Sequence, residues 1–270
     1  MNNGNHTLPK KRGNIMFKNY VATQKEKKGI LLMTHMVVGY PSIDESERIV
    51  DEMVDAGVDL IELQIPFSEP IADGPVILRA NQVALENRVT VKDCLEFTAR
   101  MTHKYSIPFY YMTYVNIIHK YGIDSLLSHM VDINVAGAII PDLPPEEGME
   151  YIEKFKEKDK SIVFIYAPTT SDERMKLIAS HASDFIYCVA RKGVTGASTA
   201  FSNDLEHYLR RCRAATDLPI ALGFGVKDRA DIDFLTGKVD IAVVGTQTIK
   251  VMEENGIGAI GPYLRSLRHV

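Results

Sequence analysis

The segment DLIELQIPFSEPIADGP, residues 59–75, sets two textures side by side. Its first seven residues are apolar except for Asp59, Glu62 and Gln64. The remainder is broken by Pro66, Pro70, Gly74 and Pro75. A short apolar run bounded by turn residues reads as a strand buried on both faces, as in a parallel sheet. The same texture recurs at ILLMTHMVV from Ile30, PFYYMTY from Pro108, AGAII from Ala136, SIVFIYA from Ser161, DFIYCVA from Asp184, PIALGF from Pro219 and DIAVVG from Asp240. Amphipathic stretches separate the runs. Ser42-Ile43-Asp44-Glu45 reads as a capping box that opens a helix with Ile49, Met53 and Val54 on one side. Thr90-Val91-Lys92-Asp93 opens another, and Asp124 through Val131 fits a third.

Eight strand candidates alternating with helices in 270 residues predict an α/β fold, a (β/α)8 TIM barrel. A doubly wound sheet is the alternative. Residues 1–16 are polar and read as a flexible N-terminal tail, and residues 17–270 as a single barrel domain. Two intervals between strand starts are long: 49 residues from Asp59 to Pro108 and 35 from Asp184 to Pro219. Extra chain after a barrel strand falls on the C-terminal face, where active sites sit. These two loops are the first places to look for chemistry.

Composition narrows the function. Lysine and arginine number 31 against 35 acidic residues, a net charge of −4, which argues against a nucleic-acid binder. Cys94, Cys188 and Cys212 form no CxxC pair, so a reducing cytoplasm is the simpler setting. No apolar run approaches the ~18 residues of a membrane helix, and the polar N-terminus lacks a secretion signal's apolar stretch. The histidines form no HxH or HxxxH pair, so no metal site is expected.

Alternation along the second strand sends Ile61, Leu63 and Ile65 to one face, suited to the helix layer. Glu62 and Gln64 share the other face and point into the barrel. A carboxylate there is costly unless paired or protonated, and burial raises a carboxyl pKa toward the range of a general acid–base. Asp73, on a loop bounded by proline and glycine, is a rigidly mounted second acid. The competing view is a hydrogen-bonded structural Glu62 and an Asp73 that only caps a turn. Later strands end in glycine: Gly193-Val194-Thr195-Gly196, Gly223-Phe224-Gly225 and Gly245-Thr246. Glycine lets backbone N–H groups approach a ligand, helix N-termini bind anions, and the loops after strands seven and eight of a barrel often hold phosphate. Neither a GxxxxGK[ST] nor a GxGxxG sequence is present, so nucleotide binding has no support.

The segment ELQIPFSEPIADGP, with YVN at 114–116, PDLPPEE at 141–147, RKGVTGA at 191–197, LGFGV at 222–226 and VVGTQTIK at 243–250, resembles the tryptophan synthase alpha subunit family from about Phe17 to about Leu267. The resemblance implies a (β/α)8 barrel lyase that cleaves indole-3-glycerol phosphate to indole and glyceraldehyde 3-phosphate in tryptophan biosynthesis. It implies no cofactor of its own, and a pyridoxal-phosphate-dependent beta subunit as partner in an α2β2 heterotetramer. By resemblance Glu62 and Asp73 are catalytic, and Tyr187 lies near the glutamate. Thr195, Gly196, Phe224, Gly225, Gly245 and Thr246 bind substrate around its phosphate, and Pro66–Pro70 with Tyr114–Asn116 face the beta subunit.

Four positions depart from the family's usual residues. Gln64 replaces glycine, His35 an apolar aromatic, Val37 threonine and Tyr40 aspartate. His35 and Gln64 are expected to face the indole end of the pocket and to limit turnover, Gln64 by a hydrogen bond to Glu62. A paralogue acting on another phosphorylated substrate, or a weakly active regulatory partner of a beta subunit, is the alternative function.

Overall fold

A computed structural model of the chain describes residues 13–190, 203–223 and 225–268. The apolar runs form β1 (Leu31–Val37), β2 (Leu60–Gln64), β3 (Phe109–Met112), β4 (Gly137–Ile139), β5 (Ser161–Tyr166), β6 (Ile186–Val189), β7 (Ile220–Gly223) and β8 (Ile241–Val244). Each strand pairs in parallel with the next, and β8 returns to β1, so the sheet closes into a barrel. Closure leaves no edge strand with unpaired backbone groups. The (β/α)8 barrel is therefore the architecture, and the open doubly wound sheet is excluded.

Helices α1 (Gly13–Lys28) and α2 (Ile43–Asp55) flank β1. Between β2 and β3 lie α3 (Pro75–Glu86) and α4 (Val91–Lys104), and between β3 and β4 lie α5 (Val115–Tyr121) and α6 (Ile123–Asp132). Helices α7 (Met149–Glu157), α8 (Asp172–His181), α9 (Asn203–Ala215) and α10 (Arg229–Leu235) follow β4 through β7. Helices α11 (Thr246–Asn255) and α12 (Ile260–Ser266) close the chain after β8. The 49-residue interval is accounted for by the additional helix α3, which starts on Pro75 at its first turn. At α2 the Ser42 hydroxyl accepts the Glu45 N–H at 3.2 Å. At α4 the box is reciprocal: Thr90 Oγ1 accepts the Asp93 N–H, and Asp93 Oδ2 accepts the Thr90 N–H.

Strand alternation splits the core in two. Leu31, Met33, Leu60, Tyr110, Met112, Val163 and Ile241 fill the barrel interior. Ile61, Leu63 and Ile65 face outward into a larger layer between strands and helices. At roughly 1.5–3 kcal/mol for each large side chain buried, these two layers carry the fold. Helix α1 was not visible in the sequence, because among its described side chains Phe17 and Val21 are the apolar ones buried in the interior cluster. Phe17 lies edge-on to Tyr110 at 5.9 Å and tilted against Phe185 at 5.6 Å, which closes the N-terminal end of the barrel. The tail boundary predicted after residue 16 thus falls inside a helix that begins at Gly13. Residues 1–12 lie outside the described residues.

Candidate active site

The C-terminal ends of the strands surround a cavity of about 410 Å³, a size suited to a small-molecule ligand. Glu62 enters it from β2, as alternation predicts, and only 3% of its surface is exposed. The register of β1 on β2 sets His35 directly beside Glu62. His35 Nδ1 lies 3.0 Å from Glu62 Oε1, within hydrogen-bonding distance inside the barrel. Burial by itself pushes the His35 pKa down. The charge of Glu62, its hydrogen bond, the charge of Asp73 and the Gln64 side chain outweigh burial and raise it above the ordinary value. Glu62 Oε2 and His35 Nε2 are buried and have no protein hydrogen-bond partner. Two orphaned polar atoms on a cavity wall are the mark of a site that expects a ligand.

Asp73 reaches the same cavity from the loop after β2. Gln64 Nε2 donates to its Oδ2 at 2.6 Å, and the Tyr114 hydroxyl donates to the same oxygen at 3.3 Å. Both contacts fall on Oδ2, which leaves Oδ1 for a substrate. The loop is fastened from two sides. Tyr114 Oη accepts the Ala72 N–H, and its ring stacks on Phe67 with centroids 4.9 Å apart. On α3, the buried Asn81 side chain accepts the Phe67 N–H at 3.0 Å. Burial pushes the Asp73 pKa up, the Gln64 hydrogen bond and the His35 charge pull it down, and the Glu62 charge pushes it up again, for a net rise.

Tyr187 faces Glu62 from β6. Burial, then the charges of Glu62 and Asp73, hold its hydroxyl well above the ordinary tyrosine pKa, so it stays a neutral phenol. Its ring occupies the space a side chain on Gly223 would need: a Cβ there would lie 2.3 Å from the ring. Gly223, grouped in the sequence with the phosphate-side glycines, makes room for the tyrosine instead.

Met112, Ile139, Ile165, Val189 and Val243 form apolar walls. Gly225, Gly245, Thr246 and Gln247 line the cavity as well. Gly225 has φ +91°, a left-handed conformation that glycine adopts without strain. Gly245 caps α11, and the first bonds back into that helix run from the Thr248 and Ile249 N–H groups to the Gly245 carbonyl. The amides at its very start are thus left for an anion. Lys227 and Lys250 add two cations that the glycine pattern did not disclose, although Lys250 closes the motif VVGTQTIK and Lys227 directly follows LGFGV. Thr195, Gly196 and Phe224 lie outside the described residues. Among the described residues no group of three His, Cys, Asp or Glu side chains is placed to hold a metal ion, and no helix is long and apolar enough to cross a membrane.

A family model described as tryptophan synthase alpha chain matches residues 21–260. The chain belongs to that family. The tryptophan synthase alpha chain of Desulforapulum autotrophicum is 54% identical over 93% of this chain and 100% of the relative. That of Syntrophotalea carbinolica is 53% identical over 94% and 100%. A solved structure of Mycobacterium tuberculosis tryptophan synthase superimposes with a TM-score of 0.86 at 27% identity, covering 93% of this chain and 96% of the other. Tryptophan synthase alpha chains are carbon–carbon lyases of tryptophan biosynthesis that cleave indole-3-glycerol phosphate.

Of the four departures from that family's usual pattern, only His35 lines the active-site cavity. His35, Val37 and Tyr40 also meet at a small second pocket against α2 and α11. Gln64 is fully buried behind Asp73, and the hydrogen bond expected from it to Glu62 goes to Asp73 instead. The reason is reach: the loop folds back over the end of β2 and brings Asp73 onto the amide, while His35 already occupies Glu62 Oε1. Val37 packs in the strand–helix layer. The Tyr40 hydroxyl donates to Glu253 of α11, which also pairs with Arg79 of α3, away from the carboxylates.

Proposed function

We propose that this chain cleaves indole-3-glycerol phosphate with Glu62 as general acid–base and Asp73 as the group that binds the indole N–H. The observation that carries the assignment is the placing of two carboxylates in one apolar cavity that also receives the start of α11. Glu62, in its acid form, gives a proton to indole C3. The ring becomes a cationic indolenine, and Asp73 stabilises the charge through the N–H. Glu62, now a carboxylate, takes the proton of the hydroxyl on the adjoining glycerol carbon. The bond between that carbon and C3 breaks, its electron pair returns to the ring, and the oxygen becomes the aldehyde carbonyl. Indole and glyceraldehyde 3-phosphate leave, and Glu62 is again an acid.

Every proton moved in this cycle is given and taken by Glu62, with Asp73 holding the indole N–H, so the alpha chain needs no cofactor. Pyridoxal phosphate belongs to the beta subunit that consumes the indole. Gly225, Gly245 and Thr246, with Thr195, Gly196 and Phe224, hold the phosphate. A beta subunit in an α2β2 assembly docks over the loop that carries Asp73. In its support, Ile71, two residues before Asp73, is 82% exposed, an apolar side chain that a partner would cover. The three cysteines are free and buried, which suits the cytoplasm. The changed-substrate alternative rested on the four departures together; with Gln64 bonded to Asp73, Val37 in the strand–helix layer and Tyr40 bonded to Glu253, His35 alone of the four lines the substrate cavity. Purified chain supplied with indole-3-glycerol phosphate should release indole, faster with a beta subunit present. Absence of indole in both assays overturns the assignment.

A further inference from the structure

We propose that His35 is the positioning residue of Glu62, and that the two side chains hold one exchangeable proton between them as the acid–base unit of this chain. The proposal rests on the assignment of Glu62 as general acid–base. The two residues are partners in the β1–β2 register, their facing atoms are 3.0 Å apart, and only 5% and 3% of their surfaces are exposed. Nδ1 holds Oε1, so Oε2, which has no protein partner, is the oxygen turned to the reacting atoms. Gly245 leaves room for His35 on the β8 side: a Cβ there would lie 3.2 Å from the His35 Cβ.

Among the described residues, the charged and titratable groups around the ring are these. From β2 comes Glu62, and from the loop after it Asp73; both raise the histidine's proton affinity against the opposing effect of burial. Gln64 adds a polar contact from the same strand. Tyr187 on β6 faces the two carboxylates as a neutral phenol. Strand β8 presents Ile241–Val244 and no titratable group. Lys227 after β7 and Lys250 of α11 line the same cavity, and Tyr40, bonded to Glu253, shares a small pocket with His35 on its other side. On α3, Arg79 is engaged with Glu253.

In the acid half of the reaction the shared proton passes to indole C3 through the Glu62 carboxyl. Neutral imidazole and carboxylate remain. In the base half the glycerol hydroxyl returns one proton to the carboxylate, and the pair regains its starting proton count. A lone carboxylic acid loses its proton near pH 4–5, whereas a carboxylate paired with imidazolium keeps one in the pair to higher pH. His35 thus extends the working range upward, contrary to the sequence-based expectation that it hinders turnover.

The test compares wild type, His35→Asn and His35→Phe for kcat, KM and the pH dependence of kcat. Asparagine can still donate a hydrogen bond but cannot carry the proton. Both variants should lose at least about tenfold in kcat with KM within about threefold, and the alkaline limb should move down by about one pH unit or more. A folded variant with kcat within twofold and an unmoved limb overturns the proposal. Imidazole NMR of His35 in wild type and Glu62→Gln gives a readout independent of turnover and of folding of the His35 variants. The histidine pKa should fall in Glu62→Gln, and an unchanged titration overturns the pair. A wild-type chain that releases no indole overturns the functional assignment, and the NMR titration then decides the pair alone.

Discussion

Replacing Gly223 by alanine probes the packing that holds Tyr187 against Glu62. A Cβ on Gly223 would lie 2.3 Å from both Cε1 and Oη of Tyr187 and 2.5 Å from its Cζ. Atoms in good contact sit about 3.5–4.0 Å apart, so ring or strand must retreat by more than about 1 Å. Strand β7 is held by ladders to β6 and β8 on its two sides. The phenol is therefore the part that moves, and the open direction is the cavity. Overpacking of this kind costs about 1–3 kcal/mol. Gly223 does not have positive φ, so alanine also stabilises by about 0.4–1 kcal/mol through the unfolded chain. The net expectation is a loss of about 1–2 kcal/mol in urea denaturation. The displaced ring should also take substrate space and lower kcat/KM at least about tenfold, ~1.4 kcal/mol. The clash exists only when both side chains are present. In a Tyr187→Ala background the alanine at 223 should cost nothing, and a double-mutant cycle on stability isolates that coupling. An equal cost in both backgrounds, or a loss under about 0.5 kcal/mol with unchanged kcat/KM, refutes the packing account.

Glu62→Gln should cut indole release by ~10²–10⁴-fold while affinity for glycerol phosphate stays near wild type; turnover above about a tenth of wild type sinks the acid–base role. Gly245→Asp adds bulk and a negative charge at the start of α11 and should weaken glycerol phosphate binding at least about tenfold by calorimetry. Equal affinity would remove the phosphate from that end of the cavity. Asp184, buried at the other end of the barrel, has its carboxyl pushed up to about 6, chiefly by burial and against the hydrogen bonds of Tyr110 and Ser161. Its folded pKa exceeds its unfolded one, so its contribution is full below about pH 4 and is lost as pH rises through about 6. Relative to wild type, Asp184→Asn should gain roughly 2–3 kcal/mol between about pH 4 and about pH 8 in urea melts, and parallel curves would rule this out.

The strands were legible because burial on both faces writes itself into composition: all eight apolar runs became barrel strands. The inward turn of Glu62 was legible too, since a two-residue period needs no tertiary knowledge. Helix α1 was not, because two buried apolar side chains make too thin a stripe to stand out.

What could not be read was the choice of partner among inward side chains. Alternation says that His35, Glu62 and Gln64 all face the interior. It does not say how far β1 is shifted along β2, and that shift belongs to the stagger of the closed barrel as a whole. A shift of one residue would have set a different side chain beside Glu62. The observed register sets the histidine there, and the fold of the loop after β2 brings Asp73 onto Gln64. Each carboxylate thus acquires its own holder, one able to carry a proton and one not. Gly223 shows the same limit from the other side. In sequence it is one more glycine after an apolar run, and only the seat of the Tyr187 ring reveals that a missing Cβ on β7 serves a side chain on β6. Chemistry carried by one residue type at one position is visible in the chain, whereas chemistry divided between neighbouring strands becomes visible only once the barrel has closed.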